Sequence, residues 1–205
     1  MSGLQRSTLG LSDGSEHEIL GNERRGGPAL LYLHGLGGLA ADEALVSALA
    51  TRFSVRAPSL DTFGSINDVP IIQRQVAELL KALSLDRPLL AGHGAGAAVA
   101  AELAATMPGA FSHLFLIAPV GLHADQRPIS GEGIENRMAH IDCRTTLVWG
   151  KQDTVVSMAS ILDLVRAIPS AGIATVPQGT NDMVSTLPDK VARAMANGLR
   201  ISIAA

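Results

Sequence analysis

The sequence predicts an α/β fold, with a mostly parallel, doubly wound sheet and helices on both of its faces. Short, continuous apolar runs recur along the chain, as expected for strands that are buried on both faces. Amphipathic or alanine-rich segments of helical length separate them, which is the pattern of parallel strands joined by crossover helices. We expect a sheet of about six to eight strands in a single domain spanning residues 1–205.

The predicted strands are apolar runs bounded by residues that favour turns. The run PALLYL, for example, is continuously apolar and ends in the glycine-rich stretch HGLGG. The first predicted strand is expected at the edge of the sheet. In chain order, the predicted strands are residues 16–20, 28–33, 55–58, 88–91, 114–118, 145–149 and 173–176.

The predicted helices show apolar residues at helical spacing or residues that begin and end helices. Leu45, Val46 and Leu49 share one face of the first helix. Asp68 is a suitable N-cap for the second helix, and Pro188 occupies a favoured first-turn position in the last. In chain order, the predicted helices are residues 42–53, 68 to about 83, 95 to about 108, 159–168 and 188 to about 199.

Composition argues against several classes of function. The net charge is −3 and no basic cluster is present, so neither nucleic acid nor an anionic membrane surface is an expected partner. The single cysteine, Cys143, and the lack of a signal-like or membrane-spanning apolar stretch predict a cytoplasmic protein. No spacing of ligating residues predicts a metal site, and no phosphate-binding loop predicts a cofactor.

The most informative stretch is residues 88–103, where an apolar run meets a glycine-rich turn and an alanine-rich segment follows at once. This order of strand, sharp turn and helix is the context of a nucleophile elbow, whose motif is Gly-x-nucleophile-x-Gly. The motif here reads Gly92-His93-Gly94-Ala95-Gly96. The position of the nucleophile is therefore occupied by glycine.

Five segments, in this order and spacing, resemble landmarks of the α/β-hydrolase superfamily over nearly the whole chain. The resemblance implies the α/β-hydrolase fold. Members commonly insert a cap between the strands that here end near Pro119 and begin near Thr145; because this stretch is short, we expect a minimal cap. The segments are residues 31–38 (LYLHGLGG), 57–64 (APSLDTFG), 91–96 (AGHGAG), 147–153 (LVWGKQD) and 177–181 (PQGTN).

The resemblance also assigns the positions of a catalytic triad. In the family, the nucleophile, the acid and the histidine follow in that chain order, and the matching residues are Gly94, Asp153 and Asn181. Glycine at the first position either marks a disabled site or makes room for a substrate over the backbone. Asp153 either keeps structural hydrogen bonds or acts as a base. Asn181 either pairs with Asp153 or donates a hydrogen bond to a ligand.

The backbone donors implied by the resemblance do not depend on side chains. The N–H groups of Leu36 and Ala95 would form an oxyanion hole, and the positive end of a helix dipole beginning at Ala95 would reinforce it. His34 and His93 lie in the two loops that would line the site and are expected to pack structurally. His123, in the loop after a strand, is the best-placed replacement base.

Three functions are compatible with these residues. The first is non-hydrolytic chemistry, of the lyase, cyclase or isomerase type, on a small molecule with a carbonyl or carboxylate group. The second is a catalytically silent binding protein, or pseudoenzyme, that reuses the pocket. The third is a serine ester hydrolase whose nucleophile has been replaced. Because a minimal cap leaves apolar surface open, we also expect a homodimer.

Overall fold

Strands and helices alternate through the part of the chain that a computed structural model describes, residues 3–59, 69–122 and 134–203, with only the backbone described at residues 69, 134–135 and 200–203. The strands are β1 (Gln5–Gly10), β2 (Glu16–Gly21), β3 (Ala29–Leu33), β4 (Ser54–Pro58), β5 (Leu89–His93), β6 (His113–Ile117), β7 (Arg144–Gly150) and β8 (Ala171–Val176). The helices are α1 (Gly38–Ala50), α2 (Val69–Ala82), α3 (Ala95–Thr106), α4 (Ile134–Met138), α5 (Met158–Ala167), α6 (Met183–Thr186) and α7 (Pro188–Ile203).

The eight strands form one sheet in the order β1-β2-β4-β3-β5-β6-β7-β8. The pairs β1–β2 and β2–β4 are antiparallel, and all the other neighbours are parallel. In the parallel part, Leu90 of β5 is paired with Leu31 of β3 on one side and with Leu114 of β6 on the other. The predicted mostly parallel sheet is thus confirmed, and β5 lies at its centre.

The helices cover both faces of this sheet because successive strand residues point to opposite sides. On one face, Leu31 and Leu33 belong to a buried cluster with residues of α2, α3 and α5. On the other face, Leu30 and Tyr32 belong to a cluster with residues of α1 and α7. This two-sided burial explains why β3 reads as a continuous apolar run in the sequence.

Three elements differ from the sequence-based predictions. The predicted edge strand, observed as β2, is not at the edge, because β1 lies outside it. Strand β1 has the polar sequence QRSTLG and is almost entirely exposed, so it carries no apolar pattern. The short helices α4 and α6 were not predicted, since neither is long enough to show a helical period. The predicted N-cap, Asp68, lies outside the described residues.

We expect His113, at the start of β6, to make the stability of the protein sensitive to acid. Its Nε2 lies 2.9 Å from Thr146 Oγ1. Burial, aided by the nearby positive charge of Arg144, lowers the pKa of His113 from 6.5 to about 4. The unfolded chain therefore binds a proton more readily, and the stabilisation present above pH 6.5 is lost as the pH falls towards 4.

The expected loss is on the order of 2–3 kcal/mol in the free energy of unfolding. It is measured by urea denaturation between pH 7 and pH 4, with His113→Asn compared to the wild type. The variant should show a shallower pH dependence, whereas His140→Asn, at an exposed position, should not. An unchanged slope in His113→Asn would contradict this account.

Candidate functional site

A cavity of about 310 Å³ lies at the carboxyl ends of the central parallel strands. Its lining comes from the loops after β3, β5, β6, β7 and β8 and from residues of α1, α3 and α6, at the edge of the sheet where ligands bind in open α/β folds. A second cavity, of about 380 Å³, lies beside β7, β8 and α7. Its lining includes Arg144 and Ala171, the first residues of β7 and β8, so it extends to the amino ends of these strands. The residues that line the smaller cavity are Gly35, Leu36, Gly37, Ala41, Asp42, His93, Gly94, Ala95, Ala118, Val120, Val155, Val156, Asn181, Asp182, Val184 and Ser185.

The turn between β5 and α3 has a left-handed residue at its tip. Gly94 has φ 55° and ψ −116°, a conformation that residues with a side chain adopt only at a cost. Its N–H donates to the carbonyl of Ile117 at 2.9 Å, and its carbonyl accepts from the N–H of Val120 at 3.2 Å. A Cβ built on Gly94 would meet no atom within 4 Å. The turn therefore leaves open space where a side chain would stand.

The same turn brings α3 against the loop that follows β3. A Cβ on Gly96 would overlap the backbone carbonyls of Leu33 and His34, and a Cβ on Gly92 would lie 2.7 Å from the Cα of Ala97. Both positions require glycine because backbone, rather than a movable side chain, occupies the space. This close packing holds the start of α3 beside the loop after β3.

Two backbone N–H groups in the cavity lining are available to a ligand. Ala95 is the first residue of α3, so its N–H has no acceptor within the helix. Leu36 lies in the loop after β3, and the residue is 75% exposed. Within the described residues, neither N–H has a hydrogen-bond acceptor. Such groups can accept a carbonyl oxygen or an anionic oxygen, which the α3 dipole also favours.

A buried carboxylate that sequence reasoning missed connects the two loops. The Asp42 side chain, on α1, is only 2% exposed and accepts hydrogen bonds at Oδ2 from the Tyr32 hydroxyl at 2.8 Å and the Gly35 N–H at 3.0 Å. His93 Nδ1 lies 3.1 Å from both of its oxygens. One feature of the sequence could have indicated that Asp42 is buried. It precedes Leu45 by three residues and Val46 by four, so it lies on the apolar face of the helix.

These contacts keep Asp42 ionised. Burial by itself would raise the pKa of this carboxyl, but the hydrogen bond and positive charge supplied by His93, with the bonds from Gly35 and Tyr32, outweigh burial and hold the pKa below its usual range. Burial and the adjacent carboxylate raise the pKa of Tyr32 well above its ordinary value, so its hydroxyl stays a donor. Asp42 therefore has its negative charge at neutral pH, and His93 Nδ1 faces it.

Asp153 and Asn181 lie in two loops that contact each other, since the N–H of Gln152 donates to the carbonyl of Gly179 at 2.8 Å. Asp153 Oδ1 accepts from the N–H groups of Val155 and Val156, both at 2.8 Å. Its Oδ2 is buried and has no partner among the described residues.

Asn181 is exposed and lines the cavity, whereas Asp153 does not line it. The pairing of Asn181 with Asp153, considered from the sequence, does not occur in the described part of the chain. Of the residues singled out in the sequence, the cavity thus brings together Leu36, His93, Gly94, Ala95 and Asn181.

Two of the remaining candidates, His34 and Cys143, are described by the structure and do not line the cavity. His34 is buried, and its Nδ1 lies 2.8 Å from the carbonyl oxygen of Gly35. His123 lies outside the described residues. Cys143 is buried, and burial raises the pKa of its thiol to about 11, so it is not a nucleophile at neutral pH.

The described part of the chain has neither a cluster of metal-ligating side chains nor a membrane-spanning helix. Across residues 3–59, 69–122 and 134–203, no group of three or more His, Cys, Asp or Glu side chains could hold a metal ion. In the same ranges, no helix is both long and apolar enough to cross a bilayer.

The chain resembles known proteins weakly in sequence and strongly in structure. No family model matches the sequence. Uncharacterized proteins of Mycobacterium bovis and Mycobacterium tuberculosis are 35% identical over 107 residues, a match that covers 48% of this chain and 31% of each relative. The match thus spans about a third of the relatives' length.

Solved structures match nearly the whole chain. A predicted CIB-like hydrolase from Thermoplasma acidophilum superposes with a TM-score of 0.80 at 17% identity, covering 98% of this chain and 99% of that one. A bacterial membrane phospholipase A superposes with a TM-score of 0.82 at 19% identity, covering 97% and 86%. An enol-lactonase from Burkholderia xenovorans superposes with a TM-score of 0.78 at 14% identity, covering 95% of this chain and 100% of that one. These identities establish the fold, as predicted from the five segments, and nothing beyond it.

Proposed function

We propose that this chain, which has the α/β-hydrolase fold, binds the carbonyl or carboxylate oxygen of a small molecule at the N–H groups of Leu36 and Ala95 and performs non-hydrolytic chemistry on it. Lyase, cyclase or isomerase chemistry fits such a site. The observation that carries the proposal is the open space at Gly94, in a cavity also lined by Leu36 and Ala95, whose N–H groups have no acceptor among the described residues. A ligand can occupy the space that a nucleophilic side chain would otherwise fill.

The residues at the triad positions support non-hydrolytic over hydrolytic chemistry. Acyl transfer needs a nucleophile and a base that takes its proton. Gly94 has no heteroatom, Asn181 is not basic at neutral pH, and Asp153 does not line the cavity. The structural neighbours that are named hydrolases or esterases therefore support the fold of this chain and not their own reactions.

The alternative is a binding protein without catalysis. It is favoured by the lack of a nucleophile at Gly94 and of a base at Asn181, since binding needs only the backbone donors.

The homodimer and the cytoplasmic location expected from the sequence stay predictions. The apolar residues Leu36 and Val155, which line the cavity and are 75% and 55% exposed, support a partner surface.

We expect a small carbonyl compound to bind at the two N–H groups. In 15N-resolved NMR titrations with benzyl methyl ketone and with phenylacetate, the amide signals of Leu36 and Ala95 should shift most. Ala95→Pro removes one donor at a helix position that tolerates proline, and it should weaken binding about tenfold, as expected for one hydrogen bond.

Ala95→Gly is the matched control, since it keeps the N–H and should bind as the wild type does. Both variants must keep the dispersed NMR spectrum of the folded chain. Binding of both probes that leaves the Leu36 and Ala95 signals unchanged, or no binding at all, would refute the proposed site.

A further inference from the structure

We propose that His93 is the proton acceptor of this site and that Asp42 is its positioning residue, an inference that rests on the proposed binding of a carbonyl oxygen at Leu36 and Ala95. The pair lies outside the positions where the family resemblance places a triad. His93 is the last residue of β5, directly before Gly94, and Asp42 belongs to the second turn of α1. Both residues line the cavity.

The contacts of the pair fix the tautomer of the imidazole. Asp42 is ionised and its oxygens are acceptors only, so the His93 Nδ1 that lies 3.1 Å from them must donate its proton. In the neutral ring, the other nitrogen, Nε2, then has no proton and a free lone pair. The Tyr32 hydroxyl and the Gly35 N–H hold the carboxylate in place, so the orientation of the ring is fixed in turn.

The free nitrogen is accessible to a ligand. Within the described residues, His93 Nε2 has no hydrogen-bond partner, and it is not among their buried polar atoms without partners. The imidazole keeps 16% of its surface exposed, whereas the side chain of Asp42 keeps 2%. Asp42 is thus too enclosed to take a proton from a ligand itself, whereas His93 is the imidazole among the residues that line the cavity and directly precedes Gly94.

The reaction that this arrangement supports is proton abstraction from the carbon next to a carbonyl group. The C–H bond breaks, the proton moves to His93 Nε2, and the electron pair of the bond moves to the carbonyl oxygen. The resulting enolate oxygen is stabilised by the N–H groups of Leu36 and Ala95. The imidazolium, stabilised by Asp42, then returns the proton to the same or to a neighbouring carbon. The step is balanced without an oxidant, a reductant or a second substrate.

The experiment is hydrogen–deuterium exchange of benzyl methyl ketone in D2O and phosphate buffer, followed by 1H NMR with the full chain. The wild type should exchange the protons next to the carbonyl faster than buffer alone. In His93→Ala and in Asp42→Asn, the exchange rate above that of buffer should be at least about tenfold lower than in the wild type. Added imidazole should restore exchange in His93→Ala, because it supplies the missing base. His140→Ala, an exposed histidine variant, is the matched control and should exchange as the wild type does.

One further measurement tests the hydrogen bond of the pair, and one further variant tests the base. A far-downfield 1H signal of Nδ1–H should be present in the wild type and absent in Asp42→Asn and in His93→Ala. If His93→Ala does not fold, His93→Asn, which can still donate to Asp42, takes its place and should likewise be inactive.

The possible failures are distinguishable. Binding that shifts the Leu36 and Ala95 amides without exchange above buffer would overturn the role of His93 and leave the proposed function standing. Exchange that persists in His93→Asn, or that imidazole does not restore in a folded His93→Ala, would also overturn it. Failure of the ketone to bind while phenylacetate still shifts the Leu36 and Ala95 amides would overturn only the role of His93, and failure of both probes to bind would overturn both proposals.

Discussion

The double variant Gly94→Ser, Asn181→His is expected to hydrolyse p-nitrophenyl acetate at least about 100-fold faster than either single variant, which is the size of a general-base contribution. The wild type should show no hydrolysis above a heat-denatured control. Serine at position 94 alone supplies a nucleophile without a histidine at the triad position, and histidine at position 181 alone supplies that histidine without a nucleophile. Only the pair places both groups at the triad positions, where Asp153 can orient the histidine.

The structure offers three supports for this gain. A Cβ on Gly94 meets no atom within 4 Å, so the serine has room, although the φ of 55° costs some stability. Asn181 already lines the cavity. Asp153 is held through Oδ1 while its buried Oδ2 has no partner in the described part of the chain, so it can accept from a new histidine.

The control is the same double variant with Asp153→Asn. Its rate should fall at least about tenfold, since the new histidine loses the carboxylate that orients it. Equal rates with and without the Asp153 carboxylate, or hydrolysis by the wild type, would show that other residues carry the reaction.

The fold was largely predictable because the parallel strands are buried on both faces. Burial on both sides forces continuous apolar runs such as the one at β3, and these survive in the sequence without any knowledge of partners. Strand β1 could not be found this way, because it is an exposed edge strand that is held by backbone pairing with β2. Its side chains have no apolar pattern that would predict that pairing.

The parts of the candidate site that are formed by one continuous stretch of sequence were predictable. The contacts between residues far apart in the sequence were not. The turn at Gly94 and the start of α3 follow from the motif that spans them. The contact of Asp42 with His93 joins residues 51 positions apart, so no local pattern specifies it. Asp42 resembled an ordinary helix-start residue, and only the assembled sheet shows that it is buried against the neighbouring loop.

The largest effect on stability is expected for Gly96→Ala, in the first turn of α3. The new Cβ would overlap the backbone carbonyls of Leu33 and His34, which belong to the sheet and to the loop after it and cannot move aside as a side chain would. We expect a loss of more than about 4 kcal/mol in the free energy of unfolding, measured by urea denaturation, or failure to fold.

Alanine substitutions at two other glycines distinguish the cost of steric overlap from the cost of a left-handed backbone conformation. Gly94→Ala meets no atom within 4 Å but has φ 55°, so it should cost about 1–3 kcal/mol through backbone strain alone. Gly172→Ala, in the outer strand β8, has neither a close neighbour nor a left-handed φ, and it should be nearly neutral. If Gly96→Ala were as stable as Gly172→Ala, α3 would not approach β3 as closely as described. The N–H of Ala95 would then not be held beside the loop of Leu36, and the proposed binding site would lose its geometric basis.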